Sequence, residues 1–173
     1  MFSGKSTELI SRIRKHKIIE SKFMVINHSH DTRYGSSNQI CSHNQDKEIS
    51  YSSSKLMPFL SHEEYHVSNV IFIEEGQFFP DLLEFVKVAV DQDCKTLIVC
   101  GLDGDFQRQP IGQMLDLIPL ADSVDKLKAL CAICKNGTEG LFSLRKIACM
   151  DVEVIGGLDT YLPVCRSHYL NLA

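Results

Sequence analysis

The string Gly4-Lys5-Ser6-Thr7, leading directly into a helical apolar pattern, constrains this chain more than any other feature. It is the Gly-Lys-Ser end of a phosphate-binding loop, G-x-x-x-x-G-K-[ST]. In that loop backbone N–H groups wrap phosphates, the lysine reaches the outer phosphates and the hydroxyl meets Mg²⁺. The following helix adds the positive end of its dipole. Glu8, Leu9, Ile10, Ile13, Ile18 and Ile19 predict that helix, with an apolar stripe. Arg12, Arg14, Lys15 and Lys17 take its solvated faces. Phe23-Met24-Val25-Ile26 then reads as a strand. Loop, helix and strand follow the order of a β-α-β unit whose first strand and first loop glycine would lie upstream of residue 1. That strand is expected at the sheet centre, beside the strand predicted over residues 67–73.

The remaining pattern alternates. Residues 28–54, rich in Ser, Asn, His and Asp, read as a long exposed loop. A short helix is expected over 56–65, a buried strand over Val67–Ile73, a helix from Pro80-Asp81 with Leu82, Leu83, Phe85, Val86 and Val90 inward, and a buried strand over Thr96–Cys100. Two wholly apolar strands around a helix imply a parallel sheet covered by helices on both faces. The expected fold is therefore α/β: a phosphate-loop domain over residues 1–124 and a small metal-bearing lobe over 125–173.

Composition narrows the class. Apolar residues at 44% and charged residues at 23% suit a globular core. A net charge of −4 opposes a broad nucleic-acid face. No apolar run reaches the ~20 residues of a membrane span, and a cytoplasmic protein is expected.

Two features carry chemistry. Glu74-Glu75 closes the strand over 67–73, where ligands of open α/β sheets bind. One carboxylate there can hold a phosphate-bridging Mg²⁺, and its neighbour can accept a proton from an attacking hydroxyl. Separately, Cys131-x-x-Cys134 and Cys165-x-x-His168 form two ligand pairs with thirty residues between them. Two such turns can close a tetrahedral Cys₃His zinc site with no open position, which makes the metal structural. Cys41, Cys94, Cys100 and Cys149 show no such spacing and read as reduced thiols.

Taken together, these strings resemble the cytosolic-type thymidine kinases, a family also encoded by large DNA viruses. The matching strings are Met1 to Leu9, Asp31-Thr32-Arg33-Tyr34, Glu74 to Asp81, Leu102 to Arg108, Val152 to Gly157 and the two metal pairs. The resemblance spans almost the whole chain in order. It implies transfer of the ATP γ-phosphoryl group to the 5′-hydroxyl of thymidine or deoxyuridine, in nucleotide salvage, by a homotetramer using Mg²⁺ and structural Zn²⁺. It makes Glu75 the general base. Phe2, Ser3, Gly4, Lys5, Ser6, Thr7, Asp31, Thr32, Arg33, Glu74, Gly76 and Gln77 would bind ATP and its metal, with Lys5, Ser6 and Arg33 on the transferring group. Phe106 would stack on the base. Met1, Leu102, Ser143 and Tyr161 would line the pocket, and backbone groups of Val152, Glu153, Val154, Ile155 and Gly156 would read the base edge. The chain departs from the family pattern at Glu74 (usually Asp), Ser143 (often Thr) and His168 (often Cys). Two other readings stay open at this stage: a nucleotide-binding pseudoenzyme or regulatory subunit, and an unrelated phosphate-loop ATPase with a zinc ribbon.

Overall fold

The computed structural model describes residues 1–29, 39–41, 47–146 and 159–172. Helix α1 (Lys5–Ile18) buries Leu9, Ile10 and Ile13. It stops in a paired C-terminal turn: Ser21 N–H bonds to His16 C=O and Glu20 N–H to Lys17 C=O, with Glu20 in the left-handed region at φ 53°. The inward stripe ends earlier than its sequence pattern implies. Ile18 and Ile19, in the last turn and at the C-cap, are 81% and 70% exposed.

Strand β1 (Phe23–His28) is followed by two short antiparallel strands, β2 (Gln39–Cys41) and β3 (Lys47–Ile49), and by β4 (Tyr51–Ser53). Ordered strands thus interrupt the loop expected over 28–54. Strand β4 lies parallel to β1, with Ile26 opposite Tyr51, and Ser29 N–H prolongs the pairing to Ser53 C=O. Its half-exposed, serine-rich side chains hid it from an apolar pattern.

A 3₁₀ turn over Met57–Ser61 and helix α2 (Glu63–Val67) come next. Asp81 holds the turn's start, accepting from Leu56 N–H and Met57 N–H at 2.9–3.0 Å. His62 caps α2 by accepting from Glu64 N–H. The helix consumes Val67, so the strand expected from 67 begins later, as β5 (Val70–Glu74), which is buried throughout. Helix α3 (Leu82–Lys87) continues into a wide turn over Val88–Gln92, closed by Asp93 N–H to Val88 C=O. Its buried stripe is Leu82, Phe85, Val86 and Ala89. Strand β6 (Thr96–Val99) completes a four-stranded parallel sheet in the order β4-β1-β5-β6.

That order overturns one expectation. Strand β5 pairs with β1 on one side and with β6 on the other, so no gap for a central strand exists beside it. Alternate residues of β1 and β5 point to opposite faces. Val25, Val70 and Phe72 pack under α1. Met24, Ile26, Ile71 and Ile73 pack with Tyr65, Phe79 and Phe85. Helices cover both faces, as a buried parallel sheet requires.

Beyond a 3₁₀ stretch at Leu115–Leu120 the chain forms β7 (Ala129–Leu130), β8 (Glu139–Gly140), β9 (Phe142–Arg145), β10 (Tyr161–Val164) and α4 (Arg166–Leu172). Strands β7 and β8 pair antiparallel, as do β9 and β10. Their shared core is small: Cys131, Val164 and Tyr169, with Phe142, Leu144 and Leu162 against it. Ion pairs Arg12–Asp125 (2.8 Å) and Asp103–Lys126 (2.6 Å) cross from the sheet region to the segment before β7. No helix among the described residues is long and apolar enough to cross a membrane.

Candidate active site and metal centre

Parallel strands end together, and their ends carry polar groups. Asn27 of β1 lies opposite Glu74 of β5 in the register, and both are buried. Glu75 follows with a left-handed backbone at φ 53°. For a non-glycine residue that conformation costs roughly 1–3 kcal/mol and persists only where its surroundings dictate it. Here they do. Gly76 N–H bonds to Cys100 C=O at 2.9 Å, and Phe78 N–H to Glu75 C=O at 3.0 Å. Gln77, itself buried, donates from Nε2 to Glu75 Oε2 at 2.6 Å. Its Oε1 accepts from Leu102 N–H at 2.9 Å. One amide thus fixes a buried carboxylate and, through Leu102, the segment beyond β6.

Gln77 is fixed in turn by Gly112. Gly112 has φ 55°, and a Cβ there would lie 2.0 Å from the Gln77 carbonyl oxygen. Replacement by Ala combines a left-handed strain with a backbone clash. Gly112→Ala is expected to lose about 2–4 kcal/mol in denaturant unfolding. An unchanged midpoint would show that the Gln77 turn yields freely.

The phosphate loop opens the chain and leads into α1. Gly4, at φ 82°, turns the chain into α1, and its C=O accepts Glu8 N–H at 2.9 Å. Phe2, Ser3, Lys5 and Ser6 are half-buried, while Gly4 and Thr7 are exposed. Burial pushes the Cys100 thiol up to about 12, with the charges of Lys5, Glu74 and Glu75 acting on it as well. The α-amino group of Met1 lies 3.1 Å from Ser143 Oγ in β9. Desolvation, then Lys5, lowers it to about 5, against opposing pulls from Asp103 and Glu75.

Phe106 lies in a compact turn. Asp105 Oδ1 accepts from Gln107 N–H and Gln109 N–H at 2.8 Å each. The Arg145 guanidinium sits 3.6 Å over the Phe106 ring and donates to Tyr161 Oη at 2.6 Å. The structure thus links Phe106 to Tyr161 through Arg145, and brings Met1 to Ser143. Asp31, Thr32 and Arg33, the segment Val152 to Gly156, and Cys149 lie outside the described residues.

The two ligand pairs converge. Cys131 follows β7, and Cys165 precedes α4, which carries His168. Ligand atoms of Cys131, Cys134, Cys165 and His168 all lie within 4.8 Å of one another. His168 Nδ1 is 3.6, 3.5 and 3.2 Å from the sulfurs of Cys131, Cys134 and Cys165, and the Cys134–Cys165 sulfurs are 3.8 Å apart. A tetrahedron with metal–sulfur bonds of about 2.3 Å and a metal–nitrogen bond of about 2.0 Å has edges of about 3.8 and 3.5 Å. The cluster could hold a metal ion with little adjustment. Burial works against the Cys131 thiolate, but backbone N–H groups of Cys134, Cys165 and Ile133 bring the thiol down to about 6. The backbone N–H of His168 lowers Cys165 despite its desolvation, and hydrogen bonds to Cys165 and Cys131 raise His168. Desolvation and the neighbouring thiols push Cys134 up to about 11.

Comparison with known proteins turns this geometry into a family assignment. The profile of the thymidine kinase family matches residues 1–169. This chain belongs to the thymidine kinase family. It is 43% identical to the thymidine kinase of variola virus, over 99% of this chain and 93% of the viral one. It is 44% identical to the human cytosolic thymidine kinase, over 100% of this chain and 71% of the human one. It is 42% identical to thymidine kinase a of Arabidopsis thaliana, over 98% and 71%. Family membership excludes the unrelated ATPase with a zinc ribbon.

Sequence reasoning missed four contributors to the site. Gly112 supports Gln77, Met114 packs beside Gly76 and Gly101, Arg145 covers Phe106, and Tyr169 Oη donates to Phe106 C=O at 2.7 Å. None belongs to a spaced motif, and each acts through a contact between segments distant in the chain.

Proposed function

We propose that this chain transfers the γ-phosphoryl group of ATP to the 5′-hydroxyl of thymidine or deoxyuridine. The observation that carries the reading is the buried, strained Glu75, held by Gln77 at the carboxyl end of β5. As the 5′-oxygen bonds to the γ-phosphorus, Glu75 takes its proton and the bond to the ADP oxygen breaks. Lys5 and loop N–H groups at the start of α1 stabilise the charge on the transferring group, with Arg33 joining them. Ser6 and Glu74 offer the hard oxygen donors that suit Mg²⁺. Bound with ATP, Mg²⁺ neutralises charge on the β- and γ-phosphates.

Phe106 stacks on the base, while Met1, Leu102, Ser143 and Tyr161 wall the pocket. Backbone groups from Val152 to Gly156 read the base edge, so a mismatched base leaves them unpaired. The Cys₃His donor set suits a closed, structural Zn²⁺. Residues 1–124 act as the phosphate-loop domain and 125–173 as the zinc lobe, in a cytoplasmic homotetramer. Geometry and family both favour this kinase over a pseudoenzyme, because the carboxylate and its supports are in place. A coupled assay of ADP release with each of the four deoxynucleosides tests it. Release dependent on thymidine and not on deoxyguanosine is the expected result. ATP turnover indifferent to nucleoside, or no turnover with any of them, would refute it.

A further inference from the structure

The turn carrying Phe106 is rigid within itself. Asp105 N–H bonds to Gln109 C=O at 2.9 Å, Arg108 N–H to Asp105 C=O at 3.1 Å, and the Asp105 carboxylate ties two more amides. Such a unit moves as one body, so its position depends on where it is tethered. The tether comes from the metal lobe. Tyr169 follows the ligand His168 on α4, is 7% exposed, and donates from Oη to the Phe106 carbonyl at 2.7 Å. The Arg108 guanidinium lies 4.7 Å from the Tyr169 ring, and the Phe142 ring is 5.3 Å from it on the β9 side.

We propose that Tyr169 is a positioning residue for the base: its hydroxyl sets the Phe106 ring from the metal-bearing helix. The inference rests on the reading that Phe106 stacks on thymidine. The ring and the hydroxyl of Tyr169 do separable jobs. The ring packs into the small core of the lobe with Cys131 and Val164. The hydroxyl reaches out of that core to a backbone carbonyl of a different segment. A stacking platform binds well only when its orientation is set before the ligand arrives, because ordering it afterwards subtracts from affinity. Metal coordination at His168 and base stacking at Phe106 are therefore one residue and one hydrogen bond apart.

Tyr169→Phe keeps the packing and removes the tether. In the metal-loaded 173-residue chain, the thymidine KM should rise about 5–20-fold, the scale of one hydrogen bond lost from a part-buried carbonyl. The ATP KM, the bound metal and the melting temperature should stay unchanged, with kcat within about twofold, as for lost ground-state binding. The chain has no tryptophan, so Phe106→Trp supplies a single indole at the platform. Adding Tyr169→Phe to that variant should raise acrylamide quenching of the free protein. Unchanged thymidine KM and quenching would overturn the proposal. So would loss of metal, or a parallel fall in every parameter, since either shows Tyr169 merely supporting the lobe. Phe106→Ala separates the two ideas. If it leaves the thymidine KM unaltered, the stacking reading falls and this inference with it. If it raises KM while Tyr169→Phe is silent, only the tether is wrong.

Discussion

Glu75→Gln should remove nearly all phosphoryl transfer, lowering kcat by about 10²–10⁴-fold, while ATP still binds. The substitution is close to isosteric, and the amide oxygen can still accept from Gln77 Nε2, now 2.6 Å from the carboxylate. The backbone at φ 53° and the bond from Phe78 N–H do not depend on the side-chain charge. Only the capacity to take a proton is lost. The measurement is single-turnover transfer from labelled ATP to thymidine, beside ATP affinity by calorimetry. Near-normal transfer by the Gln variant would move the base elsewhere, with Glu74 next in line. Loss of ATP binding would show that the carboxylate shapes the phosphate site and would leave its role as base unsupported.

Glu75 was legible because its setting is local. A run of buried apolar residues must end somewhere, and two carboxylates at that end are conspicuous. Glu74 ends β5 and Glu75 follows it, where the strand-end reading put them, and both are buried. The ligand cluster was legible for the same reason: short spacing within each pair limits the geometry, and the pairs meet. Local pattern failed where tertiary context decided. Val67 looks like strand, yet the His62 cap and the acidic first turn of α2 draw it into a helix. Tyr51–Ser53 looks like loop, yet the edge of β1 recruits it as a strand. The neighbours of β5 were misjudged because strand order is not written in any one segment. The link from Tyr169 to Phe106 crosses 63 positions and leaves no periodic trace.

Stripping the metal should unfold the region from about residue 125 onward and abolish thymidine binding. The physical reason is size. Strands β7 and β8 have two residues each, β9 and β10 have four, and few side chains there are buried. Sheets of that size are not stable alone in water, whereas structural Zn²⁺ supplies about 10–16 kcal/mol in small metal domains. Chelation, or Cys134→Ser, should therefore cost amide protection in β9, β10 and α4 while β1 and β5, buried in their own cores, keep theirs. Phe106 would lose its Tyr169 tether and its Arg145 cover together. Acid should act in the same direction. Without metal, backbone N–H groups hold the Cys131 thiol at about 6, below its ordinary value of 9.0. The folded state thus favours its thiolate. That contribution is full above pH 9, declines as pH falls, and is gone below about 6; a bound cation carries the window further toward acid. Hydrogen exchange, metal analysis and thymidine calorimetry on one chelated sample make the check. Purified protein without metal, or a chelated chain that still binds thymidine, would sink the idea that the pocket hangs from this site.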